Sequence, residues 1–178
     1  MDIAHRLFFG ILPSLWARVV MGGMRDAQPG IAAPVANDRL HLTAGISADH
    51  DVFPERIAHE MIAIGDAACA EPFEVRLDRL AASHRSVALR PAAGNTGLQR
   101  LREQLIAPLA RLGILREGWR FSPHVTLGYR DGAPFGRTVP AIGWQAREFV
   151  LIHSLVGATR HVVLRRWPLL THQGELFA

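Results

Sequence analysis

One short pattern occurs twice in this chain, as His41-Leu42-Thr43-Ala44-Gly45-Ile46 and as His124-Val125-Thr126-Leu127-Gly128-Tyr129. Both copies sit in apolar, β-favouring runs. In a strand, alternate side chains share a face, so His41 projects with Thr43 and His124 with Thr126, roughly 6–7 Å apart along the strand. The flanks repeat as well. Each copy follows a strand and a helix, and 35 residues separate Arg6 from His41 while 39 separate Arg85 from His124. A duplicated unit of this kind predicts two α+β lobes about a pseudo-twofold axis, with both histidines converging on one cleft.

The remaining elements follow from periodicity and punctuation. Arg6 to Leu12 reads as a strand buried on both faces. Pro13 and Ser14 open a helix whose Leu15, Trp16, Val19 and Val20 form an apolar stripe. Asp38 to Ile46 is the first His-Thr strand. Pro54 starts a second helix, and Phe73 to Leu80 alternates as a half-buried strand. Ser86 to Arg90 is a strand. Thr96 with Gln99 reads as a capping box for a leucine-striped helix that ends at Gly113. Pro134 and Pro140 mark a loop. Glu148 to Val156 and Arg160 to Trp167 form a hairpin around Gly157. The expectation is one bilobal domain over residues 1–178, with repeat-like halves at about 6–80 and 84–167. Its sheets are antiparallel, its helices lie outside, and its cleft lies between the lobes.

Imidazole titrates near neutrality, so one histidine can take a proton from water while its charged partner donates one to a leaving oxygen. The Thr43 and Thr126 hydroxyls are placed to hold non-bridging phosphate oxygens as charge develops. Arg130, just past the second motif, is the candidate guanidinium for the phosphate. This constellation suits cleavage of a phosphodiester without a metal.

Composition narrows the chemistry. All 20 basic residues are arginine, and there is no lysine. A lysyl-adenylate, a Schiff base and a P-loop phosphate contact are therefore excluded. The net charge of +4 is compatible with a polyanionic ligand. A single cysteine, Cys69, excludes an internal disulfide and a multi-cysteine metal site, and its place among alanines reads as helical core. Asp49-His50-Asp51 lacks the further ligands of a stable metal site and reads as a polar loop. No apolar run is long enough to span a bilayer, and the N-terminus lacks the basic and apolar regions of a signal peptide. The expected location is the cytoplasm.

The quoted motifs resemble those of the 2H phosphoesterase superfamily, and within it the bacterial 2′-5′ RNA ligase family of RNA 2′,3′-cyclic phosphodiesterases. Arg6-Leu7-Phe8-Phe9 resembles the family's opening strand. Leu40-His41-Leu42-Thr43 and Pro123-His124-Val125-Thr126-Leu127 resemble its two motifs, and Arg166-Trp167-Pro168-Leu169 its close. The resemblance implies hydrolysis of an RNA 2′,3′-cyclic phosphate to a 2′-phosphate, with His41 as proton donor and His124 as acceptor and no cofactor. It implies RNA ends or small cyclic nucleotides as partners; the expectation for the chain itself is a monomer that makes no membrane contact. Phe9 is placed near the substrate's base, although core packing accounts for Phe8 and Phe9 equally well. The family's arginine follows directly after the apolar pair beyond Thr. Here Gly128-Tyr129 intervenes, so Tyr129 and Arg130 are both candidates for substrate binding. Alternation turns Arg130 to the opposite face from the family's arginine, and a bulge at Gly128 would turn it back. Arg160, His161 and Arg165-Arg166 could meet an RNA backbone or form a solvated strand edge. The rival readings are a phosphodiesterase for 2′-5′ linkages or small cyclic nucleotides, a non-catalytic RNA-end or nucleotide-binding module, and ATP-independent 2′-5′ joining as a side activity.

Overall fold

Nine strands and three helices make up the described part of the computed structural model, which covers residues 3–171. In chain order they are β1 (Ala4–Ile11), α1 (Leu15–Asp26), β2 (Ala33–Pro34), a 3₁₀ turn (Asn37–Arg39) and β3 (Leu42–His50). There follow α2 (Glu55–Ala67), β4 (Phe73–Ala82), β5 (Ser86–Arg90), α3 (Thr96–Arg111) and β6 (Val125–Tyr129). The chain closes with β7 (Phe135–Ala146), β8 (Glu148–Val156) and β9 (Arg160–Pro168). His172 lies outside the described residues. Among the described residues, no helix is long and apolar enough to cross a membrane.

All pairings are antiparallel, and the strand order is β7-β4-β5-β6-β3-β1-β8-β9, with β2 paired to β6. The order is symmetric about the β6–β3 junction. That junction is a single residue pair, Leu42 with Val125, so the two His-Thr strands meet at the centre of the duplicated pattern. Strand pairing crosses the halves seen in the sequence. β4 joins β5 and β7, whereas β8 joins β1 and β9 joins β8. Each lobe therefore borrows strands from the other half of the chain, because a helix-linked antiparallel neighbour need not be the next strand in sequence.

One core unites the lobes. Leu7, Phe9 and Ile11 of β1, Leu42 of β3, and Val125 and Leu127 of β6 pack with the buried residues of all three helices. The opposite sheet face carries a small apolar cluster of Phe8, Val150 and Ile152, flanked by Leu12 and Ile46. Burial of that core supplies the main driving force for folding.

Several boundaries differ from the sequence reading for identifiable reasons. In α1, Ser14 caps the first turn through Ala17 N–H at 3.2 Å, as expected. Its buried face, however, is Ala17, Met21 and Gly22, and Leu15, Trp16 and Val19 are exposed. The helix packs by its small residues because Gly22 abuts the Asn37 side chain, with no room for a Cβ. The cap of α3 is Asn95, whose side chain accepts from Leu98 N–H at 2.9 Å, rather than Thr96. Pro140 does not break the chain. It lies within β7, an edge strand whose register against β4 shifts between Leu77 and Arg79, and an edge bulge tolerates a residue without an N–H. Asp49 and His50 end β3 instead of forming a loop, and Asp49 accepts both Arg6 and Arg116. Cys69 is exposed just beyond α2, its N–H donating to Gln104 Oε1 at 2.8 Å.

The β9–α2 contact is tight enough to test. A Cβ at Gly65 would overlap the Trp167 ring, and Trp167 is tethered by Nε1–H to Asp66 Oδ1 at 2.6 Å. It also stacks on Phe149, with ring centroids 4.9 Å apart. Gly65→Ala is expected to cost about 1–3 kcal/mol and to lower Tm by several degrees, read by thermal denaturation.

Candidate active site

The cleft lies on the sheet face opposite the main core, at the junction of β3 and β6. Because Leu42 and Val125 are paired and point into the core, their neighbours in each strand point the other way. The antiparallel sense then carries His41 toward Thr126 and Thr43 toward His124. All four side chains line one cleft of about 380 Å³. Such a volume suits a small ligand of nucleotide size.

The two histidines are held alike. His41 Nδ1 lies 2.7 Å from Arg39 O, and His124 Nδ1 lies 2.7 Å from Ser122 O. A carbonyl only accepts, so each Nδ1 carries the proton and donates it. In the neutral ring this leaves Nε2 as the basic atom on both sides of the cleft. Ser122 is itself fastened, its Oγ accepting from Arg90 Nη1 at 2.6 Å. Neither threonine hydroxyl hydrogen-bonds within the described residues, so both remain available to a ligand.

Burial sets the protonation states. Desolvation pushes His41 down to about 4, with the nearby His161 and His124 adding to the shift and the Arg39 carbonyl opposing it. Desolvation also lowers His124, helped by Arg90 and opposed by the Ser122 carbonyl. Both rings are therefore neutral in the free protein at pH 7.

Two substrate-binding expectations need correction. Phe9 is fully buried in the core, its ring against Phe149 and Trp167 at centroid distances of 6.1 and 5.9 Å. Alternation sends its neighbour Phe8 to the cleft instead, where Phe8 lies 4.5 Å from the His41 ring. Arg130 also faces away. Its guanidinium lies over Phe135 at 5.6 Å and packs onto Gly132. The cause is a bulge. Val87 pairs with Gly128 and Ala88 with Thr126, so Leu127 is an extra residue in β6. The bulge resets the alternation after Thr126 and brings Tyr129, not Arg130, onto the face of His124. Tyr129 lines the cleft with an exposed ring.

Other cleft residues carry no local motif. His161 on β9 meets the His41 ring edge-on at 5.2 Å and Phe8 at 5.4 Å. Burial lowers its pKa, with Arg39 and Arg6 adding and Asp38 opposing. Ser154, paired with both Arg6 and His161, is buried at the cleft wall. Arg6, Arg39, Trp119 and Arg120 complete the polar and aromatic lining. In the sequence, Arg160-His161 stood out only as a possible RNA contact on a strand edge, and Arg6, Arg39 and Arg120 only as scattered arginines.

Comparison with known proteins agrees with this geometry. The model of the 2′-5′ RNA ligase superfamily matches residues 13–156. The crystal structure of Escherichia coli LigT complexed with 3′-AMP is 28% identical, with a TM-score of 0.76 over 93% of this chain and 98% of that one. The phosphate complex of LigT gives a TM-score of 0.73 at 28% identity, covering 94% and 98%. A Thermus thermophilus structure gives 0.72 at 27% identity, covering 92% and 97%. A comparison with curated protein sequences returns no match. With the family match spanning most of its length and both His-Thr motifs meeting in one cleft, the chain belongs to the 2′-5′ RNA ligase superfamily of 2H phosphoesterases.

Proposed function

We propose that the protein hydrolyses RNA 2′,3′-cyclic phosphate ends to 2′-phosphates, with His41 and His124 as its acid and base. The observation that carries this reading is the matched tethering of the two rings, each donating Nδ1–H to a carbonyl two residues upstream and so offering Nε2 to the cleft. Neutral His124 takes a proton from water through Nε2. The water oxygen bonds to phosphorus as the P–O3′ bond breaks, and protonated His41 gives its Nε2 proton to O3′. The ring opens to a 2′-phosphate and a 3′-hydroxyl. His124 leaves the cycle charged and His41 neutral, and exchange with solvent restores both. The Thr43 and Thr126 hydroxyls donate to the non-bridging oxygens, where charge builds up. Tyr129 offers its exposed ring to the terminal base, and buried Phe8 backs the His41 ring.

The LigT structures hold 3′-AMP and phosphate in related molecules, which supports a nucleotide phosphate as the natural occupant here. The test is the product. A short oligoribonucleotide ending in a 2′,3′-cyclic phosphate, incubated with the protein and EDTA, is expected to yield a 2′-phosphate end. An unchanged substrate, or a 3′-phosphate end, overturns the reading.

A further inference from the structure

The cleft is built for more negative charge than one cyclic phosphate brings. Its lining contains three arginines and no aspartate or glutamate. Arg6 is spoken for, since its Nε and Nη2 donate to Asp49 at 2.6 and 2.7 Å. The guanidiniums of Arg39 and Arg120 have no hydrogen bond or ion pair within the described residues. Arg39 stands two residues before His41 and lines the same cleft. Arg120 is on a different segment, the linker between α3 and β6.

That linker also brings Trp119 into the cleft, and its placement is fixed. Gly118 takes a left-handed turn at φ +69°, and Trp119 N–H closes it onto Arg116 O at 3.2 Å. Arg116 in turn donates its N–H to Ile46 O at 2.9 Å, and its guanidinium pairs with Asp49. The indole rests against Phe121, with centroids 6.2 Å apart, and Phe121 is backed by the Arg102 guanidinium at 5.0 Å. A tryptophan braced in this way and followed by an unpaired arginine is a stacking surface beside a phosphate contact. Neither serves the acid–base pair.

We infer that Trp119 and Arg120 form a subsite for the nucleotide on the 5′ side of the cyclic end, which makes short RNA a better substrate than a mononucleotide. The inference rests on the cyclic-phosphate reading and adds the substrate's length to it. Arg120 takes the phosphate that joins the two nucleotides, and Trp119 stacks on the second base. A base stacked on an aromatic ring is worth roughly 1–3 kcal/mol, and about 1.4 kcal/mol within that range is tenfold in affinity. Stacking is tolerant of sequence, so the subsite reads length rather than base identity.

Binding of product analogues tests this independently of turnover. Calorimetry would compare adenosine 2′-phosphate, adenosine 2′,5′-bisphosphate and a diadenylate ending in a 2′-phosphate. Affinity is expected to rise at each step, with the dinucleotide about tenfold tighter than the bisphosphate. Trp119→Ala should remove the second step and Trp119→Phe keep most of it, while Arg120→Gln should remove the first. The dinucleotide should also show a steeper salt dependence than adenosine 2′-phosphate, because its second phosphate adds an ionic contact, and Arg120→Gln should abolish the difference. Equal affinities for the dinucleotide and adenosine 2′-phosphate would overturn the subsite. So would a Trp119→Ala variant that weakens all three ligands alike. Failure to open a cyclic phosphate would instead refute the catalytic reading, and the binding steps would still stand or fall on their own.

Discussion

Replacing His124 or His41 by alanine is expected to lower kcat for cyclic-phosphate opening by about 10²–10⁴-fold, the usual contribution of a positioned acid or base. Each ring is the partner of a single backbone carbonyl, and no other imidazole among the described residues is held in the same way. His161 meets the His41 ring edge-on, but it sits on β9, at a register position opposite Ser154, and has no carbonyl tether of its own among the described residues. It therefore does not stand in for His41. The double variant should be scarcely slower than the worse single one, because an acid and a base that act in one step fail together. Initial rates on a defined cyclic-phosphate oligonucleotide, with denaturation curves to verify folding, measure both effects. A single variant within tenfold of wild type would show that the pair does not carry the reaction. Arg90→Ala gives a graded companion. It frees Ser122, whose carbonyl orients His124, so it should cost less than the loss of the ring itself.

The motif pair was legible because its chemistry is local. His-x-Thr sets two side chains on one strand face whatever the rest of the fold does, and a repeat implies a symmetric meeting point. The hairpin of Glu148–Val156 with Arg160–Pro168 was equally plain, since a Gly-centred turn between two apolar runs specifies its own partner. What escaped the sequence depends on register between distant strands. Phe8 and Phe9 are interchangeable by composition, and only the pairing of β1 with β3 and β8 decides which faces His41. Arg130 was misplaced because the bulge at Leu127 is set by the β5 partner, far away in the chain. His161 reaches the cleft through the pairing of β9 with β8 and of β8 with β1, two steps that no local pattern records. The exposed stripe of α1 has the same origin. Its helical period was correct, but Gly22 against Asn37 chose the other face for burial.

The pH profile should separate free enzyme from complex. The productive state needs His41 protonated and His124 neutral. In the free enzyme, burial holds His41 at about 4 and lowers His124 from its ordinary value near 6.5. Above pH 6.5 the protonated fraction of His41 therefore falls about tenfold per unit. Since kcat/KM reports the free enzyme, it is expected to drop about a hundredfold between pH 6.5 and 8.5. A bound phosphate changes the balance. Its negative charge favours imidazolium, so both pKa values rise in the complex and the alkaline limb of kcat moves to higher pH. Arg39→Gln extends the argument. A guanidinium is charged throughout this range, and its proximity disfavours a proton on His41, so removing it should shift the kcat/KM limb upward. His161→Gln should leave the limb nearly in place, because that ring is also lowered by burial and is neutral where the limb falls. Initial rates from pH 5 to 9, fitted separately for kcat and kcat/KM, provide the test. A kcat/KM that is flat from 6.5 to 8.5 would mean that no buried imidazolium supplies the leaving group's proton.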